Sequence, residues 1–178
     1  MNFKLFASLL TAAVLSLVAT LTISSYGQAQ TQKNSFSCSL TTQKGFPATM
    51  VKTGSATSPF IYWKTNFFGN DWTSEKRCMK VTERLNTYNK QGKLGYFTTG
   101  KMRGYNVVCV TSKNDGPCEG LLYTIKQGVA PTEAIDELLS AFDQAGTTVE
   151  NSGAIVHISK INGKKYINLR EMLTKLGR

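Results

Sequence analysis

Four cations crowd one stretch of the chain: Lys76, Arg77, Lys80 and Arg84. Lys76, Lys80 and Arg84 stand at i, i+4 and i+8, so on a helix they share a face, with Arg77 beside them. Such a stripe offers lysine point charges and forked arginine donors to phosphate, sulfate or carboxylate. An ordinary solvated helix face carries the same residues, so the stripe is a candidate anion-binding site. Just ahead of it, "FIYWKTNFFGNDW" places six aromatic rings in thirteen positions, Phe60 to Trp72. Exposed, such rings stack on sugars or bases; buried, they are core. Their size favours core, with Phe67, Phe68 and Trp72 as the expected exceptions.

Other chemistry finds less material. The single histidine, His157, sits in an alternating run, where a structural role is the commoner one. A Ser/His/Asp or Cys/His apparatus, as in a small exported hydrolase acting on a polyanion, would have to be built on it. One histidine rules out a histidine-cluster metal site. "GYFTTGKM", Gly95 to Met102, approaches the phosphate-cradling G-x-x-x-x-G-K-[ST] pattern, but Met102 stands where a hydroxyl must meet magnesium. Asp115 and Glu119 flank a polar turn, "NDGP", without the spacing of a calcium loop. The reading is therefore of a non-enzymatic protein with no catalytic residue, no metal and no cofactor assigned.

Cys38, Cys78, Cys109 and Cys118 are an even set without a C-x-x-C pair, which in an exported chain reads as two disulfides. Four cysteines allow three connectivities. Cys109 and Cys118 flank "VTSKNDGP", a turn-forming string between strand-like runs, so their bond would staple a hairpin. Cys38 then pairs with Cys78, tying the first strand to a helix. In the chain-entropy view the short loop is worth roughly 2.7 kcal/mol and the long one about 4 kcal/mol, before native strain.

The start, "MNFKLFASLLTAAVLSLVATLTISSYGQAQ", joins one lysine to an apolar run and ends in small residues, Gly27 and Ala29. This pattern predicts a signal peptide over residues 1–29, or an uncleaved anchor, since roughly 20 apolar residues span a bilayer. Residues 30–178 then form one domain of a chain that is periplasmic, secreted or membrane-associated on the extracytoplasmic side. Of the +10 formal charge, residues 30–128 carry 14 Lys/Arg against 5 Asp/Glu, while residues 129–178 carry 6 of each. This basic field favours an anionic membrane surface, acidic polysaccharide or acidic protein, with no signal for a specific nucleic acid. Oligomeric state is not encoded in any motif.

The elements that must position these residues follow from periodicity. "FSCSL", "ATMVKT" and "FIYWKT" read as strands divided by turn formers. Cys78, Val81, Leu85 and Tyr88 share one face of a helix that Thr73 caps and Gly92 ends. "LGYFTTG", "YNVVCVTS" and "GLLYTIKQ" predict three more strands, antiparallel because their links are short. After Pro131, Ile135, Leu138, Leu139 and Phe142 make a second amphipathic helix ending near Gly146. Asn162-Gly163 predicts a hairpin between "VHISKI" and "KKYINL", and Leu169, Met172, Leu173 and Leu176 a closing helix. The fold class is α+β: a small antiparallel sheet packed with two amphipathic helices, two disulfides, and a C-terminal hairpin plus helix.

Several short motifs together resemble the cyanobacterial circadian oscillating protein domain family. They are "FSC" at Phe36, "PATMV" at Pro47, Trp63, "RC" at Arg77, "YFTTG" at Tyr96, "VVCV" at Val107, Cys118 and "GLLYTI" at Gly120. The likeness covers residues 36–145. It implies an exported or membrane-associated protein and carries over no catalytic or ligand residue. On the residues alone, the leading expectation is an extracytoplasmic, disulfide-stapled module whose basic helix face meets an anionic surface or partner. A small exported hydrolase, or an inhibitor or envelope-assembly partner using the Cys109 to Cys118 hairpin, are the alternatives.

Overall fold

In the computed structural model the described residues are 34–64, 70–144 and 157–176. All lie in the compact unit Thr31–Arg178. The segment read as a signal peptide or anchor, residues 1–29, lies outside them, as do Phe67 and Phe68. Among the described residues no helix is long and apolar enough to cross a membrane.

The strands divide between two antiparallel sheets rather than one. The first is a meander of β1 (Ser35–Ser39), β2 (Ala48–Thr53) and β3 (Ala56–Tyr62). The second contains β4 (Tyr96–Met102), β5 (Tyr105–Thr111), β6 (Gly120–Thr124), β7 (Ile158–Ile161) and β8 (Lys164–Asn168), in the order β6-β5-β4-β8-β7. The C-terminal hairpin belongs to that sheet because β8 pairs with β4 at Tyr96↔Asn168 and Phe97↔Ile167. Two of the two-residue turns, Arg103-Gly104 and Asn162-Gly163, have positive φ at each position, and a third, Gly54-Ser55 between β2 and β3, has it at Gly54, backbones that match strand twist. From Tyr96 on the phosphate-loop lookalike is strand: Tyr96–Met102 is β4, paired along its length with β5.

β3 begins earlier than the turn-rich "GSATSP" suggests, running through Pro59. Proline lacks an N–H for a ladder, and it is tolerated here because β3 is an edge strand whose register with β2 shifts between Thr49 and Met50.

Helix α1 (Ser74–Lys90) starts where the Thr73 hydroxyl accepts the Lys76 N–H. It buries Cys78, Val81 and Leu85. Helices α2 (Pro131–Gln144) and α3 (Leu169–Leu176) follow the apolar spacings, burying Ile135, Leu138 and Phe142, and Leu169, Met172 and Leu173. A ring relay joins the layers: Phe36 on β1 meets Phe60 on β3 at 5.5 Å, Phe60 meets Phe142 on α2 at 5.0 Å, and Phe142 stacks on Phe97 of β4 at 5.8 Å. Of the four described rings of the aromatic run, Phe60, Tyr62 and Trp63 are buried, so these three are core. Both disulfides form, Cys38–Cys78 and Cys109–Cys118.

Candidate functional site

α1 is latched on one side. The Cys38–Cys78 bond fixes its first half to β1. Two turns on, the Asn86 amide accepts the Phe36 N–H at 2.9 Å and donates to the Phe36 carbonyl at 2.7 Å, occupying both groups of one residue on the edge of β1. Asn89 donates to the Asn34 carbonyl one turn later, at 2.6 Å. Residues 78, 86 and 89 fall within about 80° of one another around the helix, so these ties fix the rotation of α1 about its axis.

That rotation sends Arg77, Val81 and Arg84, at i, i+4 and i+7, to a face about 130° further round the helix, where they line a cavity of about 200 Å³. Its walls come from four more elements. β3 and its continuation supply Tyr62, Trp63 and Lys64; a 3-10 turn, Asn70–Trp72, supplies Trp72; β6 supplies Tyr123 and Thr124; α2 supplies Glu137 and Ser140. The two tryptophans of the whole chain therefore both stand in this one wall.

The wall is held in place by buried polar contacts. The Trp63 indole Nε1–H donates to Thr49 Oγ1 at 3.0 Å, and the Thr82 hydroxyl donates to the same oxygen at 3.1 Å. The Arg77 guanidinium lies over the Trp63 ring, 5.4 Å from its centroid. Arg77 is only 6% exposed. Burial pushes its pKa down, while the negative charge of Glu137 and Glu75 and the neighbouring Tyr123 oppose the shift. Guanidinium starts so far above neutrality that it keeps its charge. Burial, then the Glu137 charge, push the Tyr123 phenol up, so it stays protonated, and its hydroxyl donates to the Ala134 carbonyl at 3.3 Å. Arg84 spends one of its five N–H donors on the Leu122 carbonyl, at 2.6 Å.

The four cations of the sequence stripe thus separate. Arg77 and Arg84 enter the cavity wall; Lys76 and Lys80 do not line it. Lys76 is exposed, and Lys80 pairs with Glu83 at 2.7 Å. Trp72, expected as an exception to ring burial, is 43% exposed on the cavity. Lining the same cavity are Tyr62, Lys64, Tyr123, Thr124, Glu137 and Ser140, none of which sequence spacing singled out.

The remaining candidates lie elsewhere. His157 is exposed, does not line the cavity, and gives only its carbonyl to the Asn168 N–H. Glu119 closes the β5–β6 loop, accepting the Ser112 N–H at 2.9 Å, the Ser112 hydroxyl at 2.6 Å and the Thr111 hydroxyl at 3.3 Å. These bonds lower its pKa. Asp115 accepts the Tyr166 hydroxyl at 3.3 Å. Among the described residues no three His, Cys, Asp or Glu side chains converge as metal ligands would.

Compared with known families, the chain matches that described as "Circadian oscillating protein COP23" over residues 35–174. The match extends the sequence likeness through the C-terminal hairpin and into α3. Neither the curated proteins nor the solved structures contain a match to the chain.

Proposed function

Because the chain belongs to the circadian oscillating protein COP23 family, whose function is unknown, its role has to be argued from its own surface, and we propose that it is a non-enzymatic, disulfide-stapled binding protein of the extracytoplasmic side, associating with an anionic partner through α1. The observation that carries the reading is the cavity beside α1. Among the described residues Arg77 and Arg84 set two positive charges against the carboxylate of Glu137, and exposed Lys64 lines the same cavity with its ammonium 5.4 Å from the Phe46 ring centroid. Part of this charge is held at low exposure, where an arriving anion is screened less than on an open face. Two disulfides, with all four cysteines paired, suit an oxidising compartment. The partner classes are those that the basic field favours: an anionic membrane surface, acidic polysaccharide or acidic protein.

The test is retention on an acidic polysaccharide column and co-sedimentation with anionic vesicles as salt is raised. Arg84→Gln removes a cavity charge; Lys76→Gln with Lys80→Gln removes two charges outside the cavity. Retention falls with salt for wild type and falls more for the single arginine variant than for the lysine pair. Equal retention of wild type and Arg84→Gln at every salt concentration would remove the proposal.

A further inference from the structure

The cavity asks for more than negative charge. Resting on the binding role argued above, we propose that it takes one carboxylated sugar ring, a hexuronic acid unit, offered either as the free monosaccharide or within an acidic polysaccharide. Size sets the first limit. About 200 Å³ is below the roughly 300–1,000 Å³ of sites for drug-sized ligands, so the occupant is one ring with small substituents.

The walls set the second. Trp63 is oriented before any ligand arrives, by its bond to Thr49 and by the Arg77 guanidinium over its ring. Trp72 keeps 43% of its surface in water at the same cavity, whereas Tyr62 and Trp63 keep under a tenth. A half-wet indole beside buried rings is a platform that the flat face of a ring ligand would cover.

The polar groups set the third. Arg84 has one donor engaged by the Leu122 carbonyl and carries four more N–H groups, enough for a two-pronged contact with a carboxylate. Glu137, Ser140 and Thr124 line the same space and offer acceptors and hydroxyl donors. A benzoate-like acid would cover these groups without pairing them, which costs affinity. Inorganic phosphate would satisfy the arginine and leave the Trp72 indole bare. A pyranose with one carboxylate and several hydroxyls meets all three kinds of wall.

The experiment is calorimetric titration of the native, oxidised protein with glucuronate, glucose, benzoate and a short oligoglucuronate, with tryptophan fluorescence as a second readout. Glucuronate binds at least about tenfold more tightly than glucose, the scale of one charge-assisted contact, and also more tightly than benzoate, which leaves the hydroxyls and carboxylate of the wall unpaired. Arg84→Gln lowers glucuronate affinity by about the same factor and leaves glucose unchanged. Trp72→Ala, at a 43% exposed position, weakens both sugars, with a melt checking that the variant is folded. Tighter binding of the oligomer identifies the polymer as the source, and equal or weaker binding identifies the monosaccharide. Glucuronate no tighter than glucose or benzoate, or affinity untouched by Trp72→Ala, overturns the assignment. Should glucuronate and its oligomer both fail while Arg84-dependent retention on anionic vesicles persists, the sugar assignment alone falls; loss of that retention too would take the binding role with it.

Discussion

The two sides of α1 are built from the same helix turns and do opposite things. On the latch side each polar group is spent inside the fold: Cys78 on Cys38, Asn86 on both backbone groups of Phe36, Asn89 on Asn34. On the cavity side Arg77 and Arg84 sit among rings, with charge in excess of the nearest carboxylate. The contrast teaches that the disulfide has a positional role besides a thermodynamic one. With successive residues about 100° apart around the axis, fixing Cys78 also fixes where its neighbour Arg77 can point.

Damage to the latch should therefore reach both stability and binding, whereas damage to the cavity should reach binding alone. The largest effect is expected from Cys38→Ala with Cys78→Ala. The loop it opens is worth about 4 kcal/mol, against roughly 2.7 kcal/mol for Cys109→Ala with Cys118→Ala. Chemical denaturation measures both, and a costlier loss from the hairpin pair would break the comparison. Only the first pair should also weaken retention on an acidic polysaccharide.

Asn86→Ala comes next. It leaves two half-buried backbone groups of β1 without their partner, a loss of about 2–3 kcal/mol. Gly120→Ala ranks beside it. A Cβ there would lie 2.5 Å from the Tyr88 ring, whose hydroxyl donates to the Leu121 carbonyl, so α1 and β6 would have to part. Overpacking of this kind costs about 1–3 kcal/mol. Thermal melts of the two variants check both.

Arg84→Gln should change stability by no more than about 1 kcal/mol, the net worth of its one part-buried hydrogen bond, to the carbonyl of the buried Leu122 on edge strand β6. A larger drop would mean that Arg84 is part of the latch.

The smallest effect is on pH. Glu119 has its pKa held below the ordinary carboxylate value by the Ser112 and Thr111 bonds. A depressed folded-state pKa gives stability that is present above the ordinary carboxylate range and lost as pH falls through the depressed value. The melting temperature of wild type should therefore fall on the acid side of that range slightly more than that of Glu119→Gln. Parallel curves would show that the loop bonds contribute nothing.

Much of the architecture was legible because its signals are local. The Asn162-Gly163 turn, the apolar face of α1 and the turn between Cys109 and Cys118 each declare themselves within a dozen residues. The splitting of the strands into two sheets was not, because it depends on β4 choosing β8, some seventy residues away, as its second neighbour. The site was half legible. Spacing at i, i+4 and i+8 marked the basic stripe, but the 100° step from Lys76 to Arg77 turns the arginine into the protein, and only the packing against Trp63 shows it. Glu137 and Ser140 reach the same space from α2, more than fifty residues downstream, and no pattern around them distinguishes them from ordinary exposed helix positions.

A positive, ring-lined cavity open to anions beside α1 should show itself in collisional quenching of tryptophan fluorescence, because the half-exposed Trp72 lines it. At low salt, iodide should quench more efficiently than caesium, and the excess should shrink in Arg84→Gln, which separates the cavity's own field from that of the whole basic protein. If caesium quenches as well as iodide, or if Arg84→Gln leaves the ratio unchanged, the cavity is not the anion site.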